Sequence, residues 1–290
     1  MSRHHIGVLG GSGLYAMPGL SDVREVHVRT PYGDPSDAVI LGTLGDTQFY
    51  FLPRHGRGHR FAPHQVNYRA NIYALKAQGA RQLVSISAVG SLQEHLHPGD
   101  VVVVDQFIDR TRGRPSTFFD RDVVAHVSMA LPTDPALSFC LSEVAEREAA
   151  RVHRAGTYLC MEGPQFSTRA ESLLHRALKA DIIGMTNLPE AKLAREAELP
   201  YASLCFVTDY DAWHDSEEAV TVEAVLAVLR KNVDLAQRIL RNVERWPDPA
   251  ESPASSALAN AIITDPAYVP NPVRERFGPL VSKYLPVELP

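Results

Sequence analysis

Two carboxylic acids spaced two apart, Asp209 and Asp211, close the apolar run Leu204-Cys205-Phe206-Val207. On an extended chain such residues point the same way, so both could address one edge of a ligand. A pair of neighbouring acids suits proton chemistry, because burial and mutual repulsion raise one of the two pKa values. The same stretch also fits a strand ending in a solvated Asp-x-Asp turn. A second cluster lies at 54–60, where Arg54, His55, Arg57, His59 and Arg60 are loosened by Gly56 and Gly58. Guanidinium forks on such a loop suit phosphate oxygens. A solvated basic loop, or a metal held by His55 and His59, is also open there. Gly10-Gly11-Ser12-Gly13 offers backbone N–H groups and a hydroxyl to an anion. A plain tight turn fits it too, whereas the G-x-G-x-x-G dinucleotide spacing is not met because Ala16 stands at the third place.

Each cluster follows an apolar run. Ile6 to Leu9 leads to Ser12, and Gln48 to Leu52, paired with Asp37 to Leu41 around Gly45-Asp46, leads to Arg54-His55. Leu83 to Ser91 carries Ser87-Ala88. Thr157 to Cys160 leads to Gly163-Pro164, Phe166 and Ser167, and Asp181 to Met185 leads to Thr186. Between the runs, helical periodicity covers Val66 to Ala77, Pro135 to Val152, the stretch after the Ser167/Thr168–Glu171 cap, Pro189 to Glu198 and Glu217 to Leu240. Val101 to Asp105 reads as a further strand and Arg110 to Phe119 as a long functional or interfacial loop. Strand and helix alternate throughout, which predicts an α/β fold: a single domain with a central mixed β-sheet flanked by helices. We expect that domain over 1–245, a Pro/Ser/Ala-rich linker over 246–256, and a helical extension over 257–290 packed on the domain or on a neighbouring subunit.

Composition narrows the partners. The 290 residues carry a formal net charge of -5, which argues against nucleic acid. Apolar runs fall short of the ~20 residues that span a bilayer. Cys140, Cys160 and Cys205 lack paired metal spacing and read as thiols of a reducing, cytoplasmic compartment.

Several longer segments carry a resemblance: GVLGGSGLY (7–15), RHGRGHR (54–60), VNYRANIYALK (66–76), SISAVGSL (85–92), PGDVVVVDQFIDRT (98–111), MEGPQFSTRAES (161–172), GMTNLPEAKLARE (184–196) and YASLCFVTDYDAWH (201–214). In this order the chain resembles the trimeric purine nucleoside phosphorylases, most closely their branch acting on 5'-methylthioadenosine. The likeness spans nearly the whole chain as far as Lys231 and fades after Trp246. It implies the nucleoside phosphorylase fold and phosphorolysis, with phosphate as co-substrate and no metal or organic cofactor. It also implies a cytoplasmic homotrimer with no nucleic-acid or membrane partner. By the same resemblance phosphate is held by Ser12, Arg54, His55, Ser87, Ala88 and Thr186. The base stacks on Phe166 beside Ser167 and Ile183, with Met185 under the ribose. Asp209 faces purine N7 and Asp211 the 6-substituent. Val222, Val225 and a neighbouring subunit's His126 surround the 5' group. The chain departs from the pattern at Ser12 and Ser87, where relatives can carry threonine, and at Asn187, where threonine is frequent.

The alternatives are a phosphorylase of broader or 6-oxopurine specificity, a nucleoside hydrolase, and a non-catalytic nucleoside-binding module. Asparagine is common in 6-oxopurine sites where this chain has Asp209 or Asp211. A hydrolase would have little use for Arg54 and His55 as a phosphate clamp.

Overall fold

The computed structural model describes residues 3–11, 13–148, 151–214 and 222–287, with 222–230 as backbone only. Eleven strands form one mixed sheet: β1 His4–Gly10, β2 Ser21–Val26, β3 Val39–Leu44, β4 Thr47–Pro53, β5 Gln82–Ser91, β6 Val101–Val103, β7 Gln106–Arg110, β8 Val152–His153, β9 Thr157–Met161, β10 Ile182–Gly184 and β11 Tyr201–Asp209. The helices are α1 Tyr68–Ala77, α2 Pro135–Arg147, α3 Arg169–Ala177, α4 Asn187–Glu196, α5 Val222–Arg241 and α6 Asn271–Phe277.

Strand β5 is the hub. Its first half runs parallel to β1 on one edge and to β11 on the other, and its last residues pair antiparallel with β10. Small and branched residues (Leu83, Val84, Ser85, Ile86) allow cover on both faces, and all four are buried. On one face α1 and α4 pack over Leu9, Leu83, Val89 and Val207. On the other α2 and α5 cover Val8, Val84, Leu204 and Phe206 through Leu137, Leu141, Ala236 and Ile239. Side chains fix where the helices begin. Asn67 accepts from the Ala70 N–H (3.1 Å) and Asp134 from the Leu137 N–H (2.8 Å), each satisfying a donor that the first helical turn leaves open.

Three local expectations change. The helix begun at Pro135 ends at Arg147, and Val152 joins strand β8 beside β6; its apolar side chain fits either period. Residues 106–110, where no element was expected, form β7 parallel to β9. The polar, aromatic loop at 110–119 does not present its aromatics outward. Phe118 and Phe119 are 0% and 5% exposed, against Tyr32 and Phe277 respectively. They are core of this chain and give no argument for an interface. Beyond the sheet, Trp246 is buried edge-on to Phe49, and Phe277, Leu280, Val281 and Leu285 extend the core on the α1/α4 side. Among the described residues no helix is long and apolar enough to cross a membrane.

Candidate active site

The exits of β1, β4, β9, β10 and β11 and the middle of β5 converge on one cavity of about 290 Å³. Its wall includes Gly11, Arg54, His55, Ser87, Ala88, Phe166, Ile183, Met185, Thr186, Asp209 and Asp211. The cavity therefore gathers residues from all six expected clusters, with Gly11 representing the first.

At one end the two acids sit on a distortion of β11. Val207 pairs with Val89 and Asp209 with Gly90, so Thr208 is one residue extra against β5. Such a bulge bends a strand and re-aims its side chains. Thr208 Oγ1 lies 3.1 Å from the Val89 carbonyl and 2.6 Å from Asp209 Oδ2. Asp211 has a left-handed backbone (φ 52°), and its N–H donates to Asp209 Oδ1 at 2.8 Å. Beneath both acids is Gly90, where a Cβ would come within 3.0 Å of Asp209 Oδ1 and 3.3 Å of Asp211 Cβ. Ser172, fully buried on α3, donates to Asp211 Oδ2 at 2.5 Å.

At the other end Arg54 is 3% exposed and bidentate to Glu190 of α4, through Nε (2.7 Å) and Nη2 (3.1 Å). Nη2 also donates to Ser85 Oγ (2.6 Å) and Nη1 to the Ile86 carbonyl (3.2 Å). Burial alone would lower the guanidinium pKa, but the facing Glu190 carboxylate more than offsets it and raises it. A guanidinium has five N–H donors, and one on Nη1 remains beyond these bonds. The arginine thus has a structural duty as well as a place on the cavity wall. His55 donates or accepts through Nδ1 at the Phe61 carbonyl (2.8 Å), and a carbonyl requires the former. Burial, reinforced by the Arg54 charge, pushes its pKa down to about 4. His59 stacks on it at 4.3 Å. Arg57 and Arg60 turn away to Asp37, Arg57 also pairing with Glu25, so of the basic loop only Arg54, His55 and His59 line the cavity. Among the described residues no group of three or more His, Cys, Asp or Glu is placed to hold a metal ion.

Between the two ends, Ser87 Oγ lies 3.2 Å from Thr186 Oγ1 and donates to Asn187 Oδ1 at 2.9 Å. Asn187 in turn donates to Ser203 Oγ. The departure at Asn187 therefore tethers the Ser87 hydroxyl from behind. The Thr186 N–H points to Tyr158 Oη (3.3 Å). Met185 packs on Gly163, whose backbone (φ 67°) leaves no room for a Cβ, since one would meet the sulfur at 2.5 Å. Phe166 offers an aromatic face on the rim, 56% exposed.

The other expected residues are placed differently. Ser167 is buried with its hydroxyl toward the Met161 sulfur (3.8 Å) and does not line the cavity. His126 is exposed on the surface of its own chain, away from the cavity wall. Ser12 and the side chains of Val222 and Val225 lie outside the described residues. Sequence reasoning missed Glu190, Ser172 and Arg114. Arg114 donates to Tyr68 Oη and to the carbonyls of Met185, Leu188 and Glu162, pinning together the loops that carry Met185 and Phe166. The available signal was an acid, Glu190, amid the apolar positions of α4, which a buried cation would have to answer.

A mixed sheet that brings paired carboxylates and a buried arginine to opposite ends of one cavity matches the enzymes of the nucleoside phosphorylase fold. The model of the phosphorylase superfamily matches residues 5–245, and the chain belongs to that superfamily. Among its relatives, the S-methyl-5'-thioadenosine phosphorylase of Geobacter sulfurreducens is 52% identical over 282 residues, 97% of this chain and 99% of the relative. That of Chloroflexus aurantiacus is 54% identical over 281 residues, 96% and 98% of the two chains. A methylthioadenosine phosphorylase from an antarctic soil metagenomic library superposes with a TM-score of 0.90 at 47% identity, covering 97% of this chain and 99% of the other. The methylthioadenosine phosphorylase of Schistosoma mansoni in complex with adenine gives 0.83 at 38% identity, covering 89% and 99%.

Proposed function

We propose that this protein is a pentosyltransferase that cleaves 5'-methylthioadenosine with phosphate, giving adenine and 5-methylthioribose 1-phosphate. The observation that carries the reading is the single cavity with Asp209 and Asp211 at one end and Arg54, His55, Ser87 and Thr186 at the other. The relatives' names agree with it.

The two ends divide the work. As the C1'–N9 bond breaks, electrons move into the purine, so a donor at N7 acts most strongly at the transition state. Asp209 in its protonated form is that donor, and the Thr208 hydroxyl donates to its Oδ2 at 2.6 Å. Asp211 accepts from the 6-amino group. Monohydrogen phosphate forms the new C1'–O bond, and the proton it loses on becoming an ester replaces the one passed to the base. The remaining Arg54 N–H and the hydroxyls of Ser12, Ser87 and Thr186 hold the phosphate oxygens. The backbone at Ala88 lines the same end. Neutral His55, with Nδ1–H given to Phe61, has Nε2 free to accept the phosphate's own O–H. The base stacks on Phe166 beside Ile183, and Met185 underlies the ribose. Written this way the reaction uses no metal or organic cofactor.

The 5' thioether is assigned to Val222 and Val225, three apart at the start of α5 and so on one helical face. His126 is assigned to the same group from a second copy in a homotrimer, since it does not reach the cavity of its own chain. Three unpaired cysteines, two of them buried, fit a cytoplasmic setting. The test is base release from methylthioadenosine, adenosine and inosine, each with and without phosphate. Release should require phosphate and favour methylthioadenosine. Equal release in phosphate-free buffer would convert the reading to a hydrolase, and inosine as the best substrate would convert it to a 6-oxopurine enzyme.

A further inference from the structure

One face of α3 touches the acid-bearing turn from behind. Ser172 and Arg176, four apart and so stacked on the same side, reach Asp211 and Trp213. The Ser172 hydroxyl donates to Asp211 Oδ2 at 2.5 Å, and the Arg176 guanidinium lies 3.5 Å from the Trp213 ring centre while donating to the Leu92 carbonyl. His175 is 6% exposed on this helix, and the Asp211 charge acts on it. The helix itself is fixed at its start, where Thr168 and Glu171 exchange hydrogen bonds as a capping box. Ser172 is therefore a rigidly mounted donor, 0% exposed, aimed at one oxygen of a carboxylate that also lines the cavity beside Asp209 and Gly90.

We propose that Ser172 is a positioning residue that sets base specificity. It acts through Asp211 and does not itself line the cavity. Its hydroxyl occupies Oδ2 as a donor, which fixes the carboxylate plane and leaves Oδ1 to meet the base as an acceptor. An acceptor there matches a 6-amino group and opposes a 6-oxo group. Without the hydroxyl, Asp211 can rotate away from the orientation that meets the 6-amino group. The proposal rests on the base-binding role assigned to Asp211 above.

The experiment is calorimetric titration of adenine and hypoxanthine into the full-length wild-type protein, Ser172→Ala and Ser172→Cys, with kcat and the KM for nucleoside and phosphate measured alongside. Removing a donor from a charged acceptor should weaken adenine about 10-fold or more while changing hypoxanthine by less than about 2-fold, so the preference falls about 10-fold. The nucleoside KM should rise and the phosphate KM stay within about 2-fold of wild type. Ser172→Cys keeps the space filled but is a weak donor, so it should behave like Ser172→Ala. A cysteine variant with the wild-type preference, or an alanine variant indistinguishable from wild type, would overturn the proposal. A wild-type protein that binds both bases equally would instead overturn the role of Asp211, and the proposal with it.

Discussion

Replacing Arg54 separates a structural duty from a catalytic one. Arg54→Gln removes the cation but leaves Glu190, 1% exposed, with Tyr201 Oη (2.9 Å) as its remaining donor. Breaking a buried pair from one side costs about 3–5 kcal/mol, mostly from the charge left behind. With about 2.1 cal/mol/K of unfolding entropy per residue, 290 residues give roughly 0.6 kcal/mol/K, so Tm should fall by about 5–8 °C. Arg54→Gln/Glu190→Gln removes both charges and should recover more than half of that fall. Phosphate KM should behave otherwise. It should rise about 10-fold or more in both variants, because the Arg54 guanidinium is absent from the cavity wall in each. Thermal unfolding paired with phosphate saturation curves reads the two effects independently. If the second substitution restored phosphate KM along with Tm, the arginine would be purely a partner for Glu190, and its assignment to phosphate would be wrong.

Asp211→Asn turns the acceptor facing the base into a side chain that can also donate, so the ratio of kcat/KM for 6-amino over 6-oxo nucleosides should drop about 10-fold; an unchanged ratio would place specificity elsewhere. His55 has its folded pKa at about 4 against an ordinary 6.5, so the unfolded chain binds the extra proton in between. Its stabilising contribution is full above pH 6.5 and lost as pH falls through 4, and His55→Gln should flatten the acid side of a Tm-against-pH curve. Glu196, raised by burial to about 7 from 4.5, has the opposite sign. The native state binds the extra proton, so its contribution is present at low pH and lost as pH rises through 7. Each is worth at most about 3 kcal/mol, and Glu196→Gln should gain on wild type between pH 5 and 8; an unchanged pH profile in either variant would mean the group titrates normally.

The centre of the sheet was legible because its strands are buried runs with little else to be, whereas the exposed β2 and the half-exposed β7 were not. β5 and β11 read directly from their small and branched residues, and the turn at Gly45-Asp46 announced the β3–β4 hairpin. The positions of Asp209, Arg54, Phe166 and Thr186 at one cavity followed from the rule that strand exits gather. Contacts made across long stretches of chain were not legible. Nothing local to Arg54 shows that its partner lies 136 residues away at Glu190, and without that partner its loop looks like solvent-facing charge. Phe118 and Phe119 sit in a stretch without periodicity, so their burial depended on Tyr32 and Phe277, which only the tertiary fold brings to them. Ser172 reads as one more polar residue of a helix cap until the turn at Asp211 is placed against it.

The glycine turn after β1 has a bearing on how the protein is made. Gln237 of α5 donates to the Gly13 carbonyl at 2.8 Å, and Val233 packs where a Gly13 Cβ would come within 3.0 Å. Strand β1, which precedes this turn, occupies the middle of the sheet, between β4 and β5. Its loop is braced only after some 224 further residues have been added. At about 5–20 residues per second that interval is on the order of 10–45 s. Until α5 is made, the sheet face carrying Val8, Val84, Leu204 and Phe206 lacks the Ala236 and Ile239 that cover it. Catalytic competence should therefore switch on late and all at once, when α5 docks, and chains stalled before residue 237 should be inert and sticky, the natural clients of a chaperone.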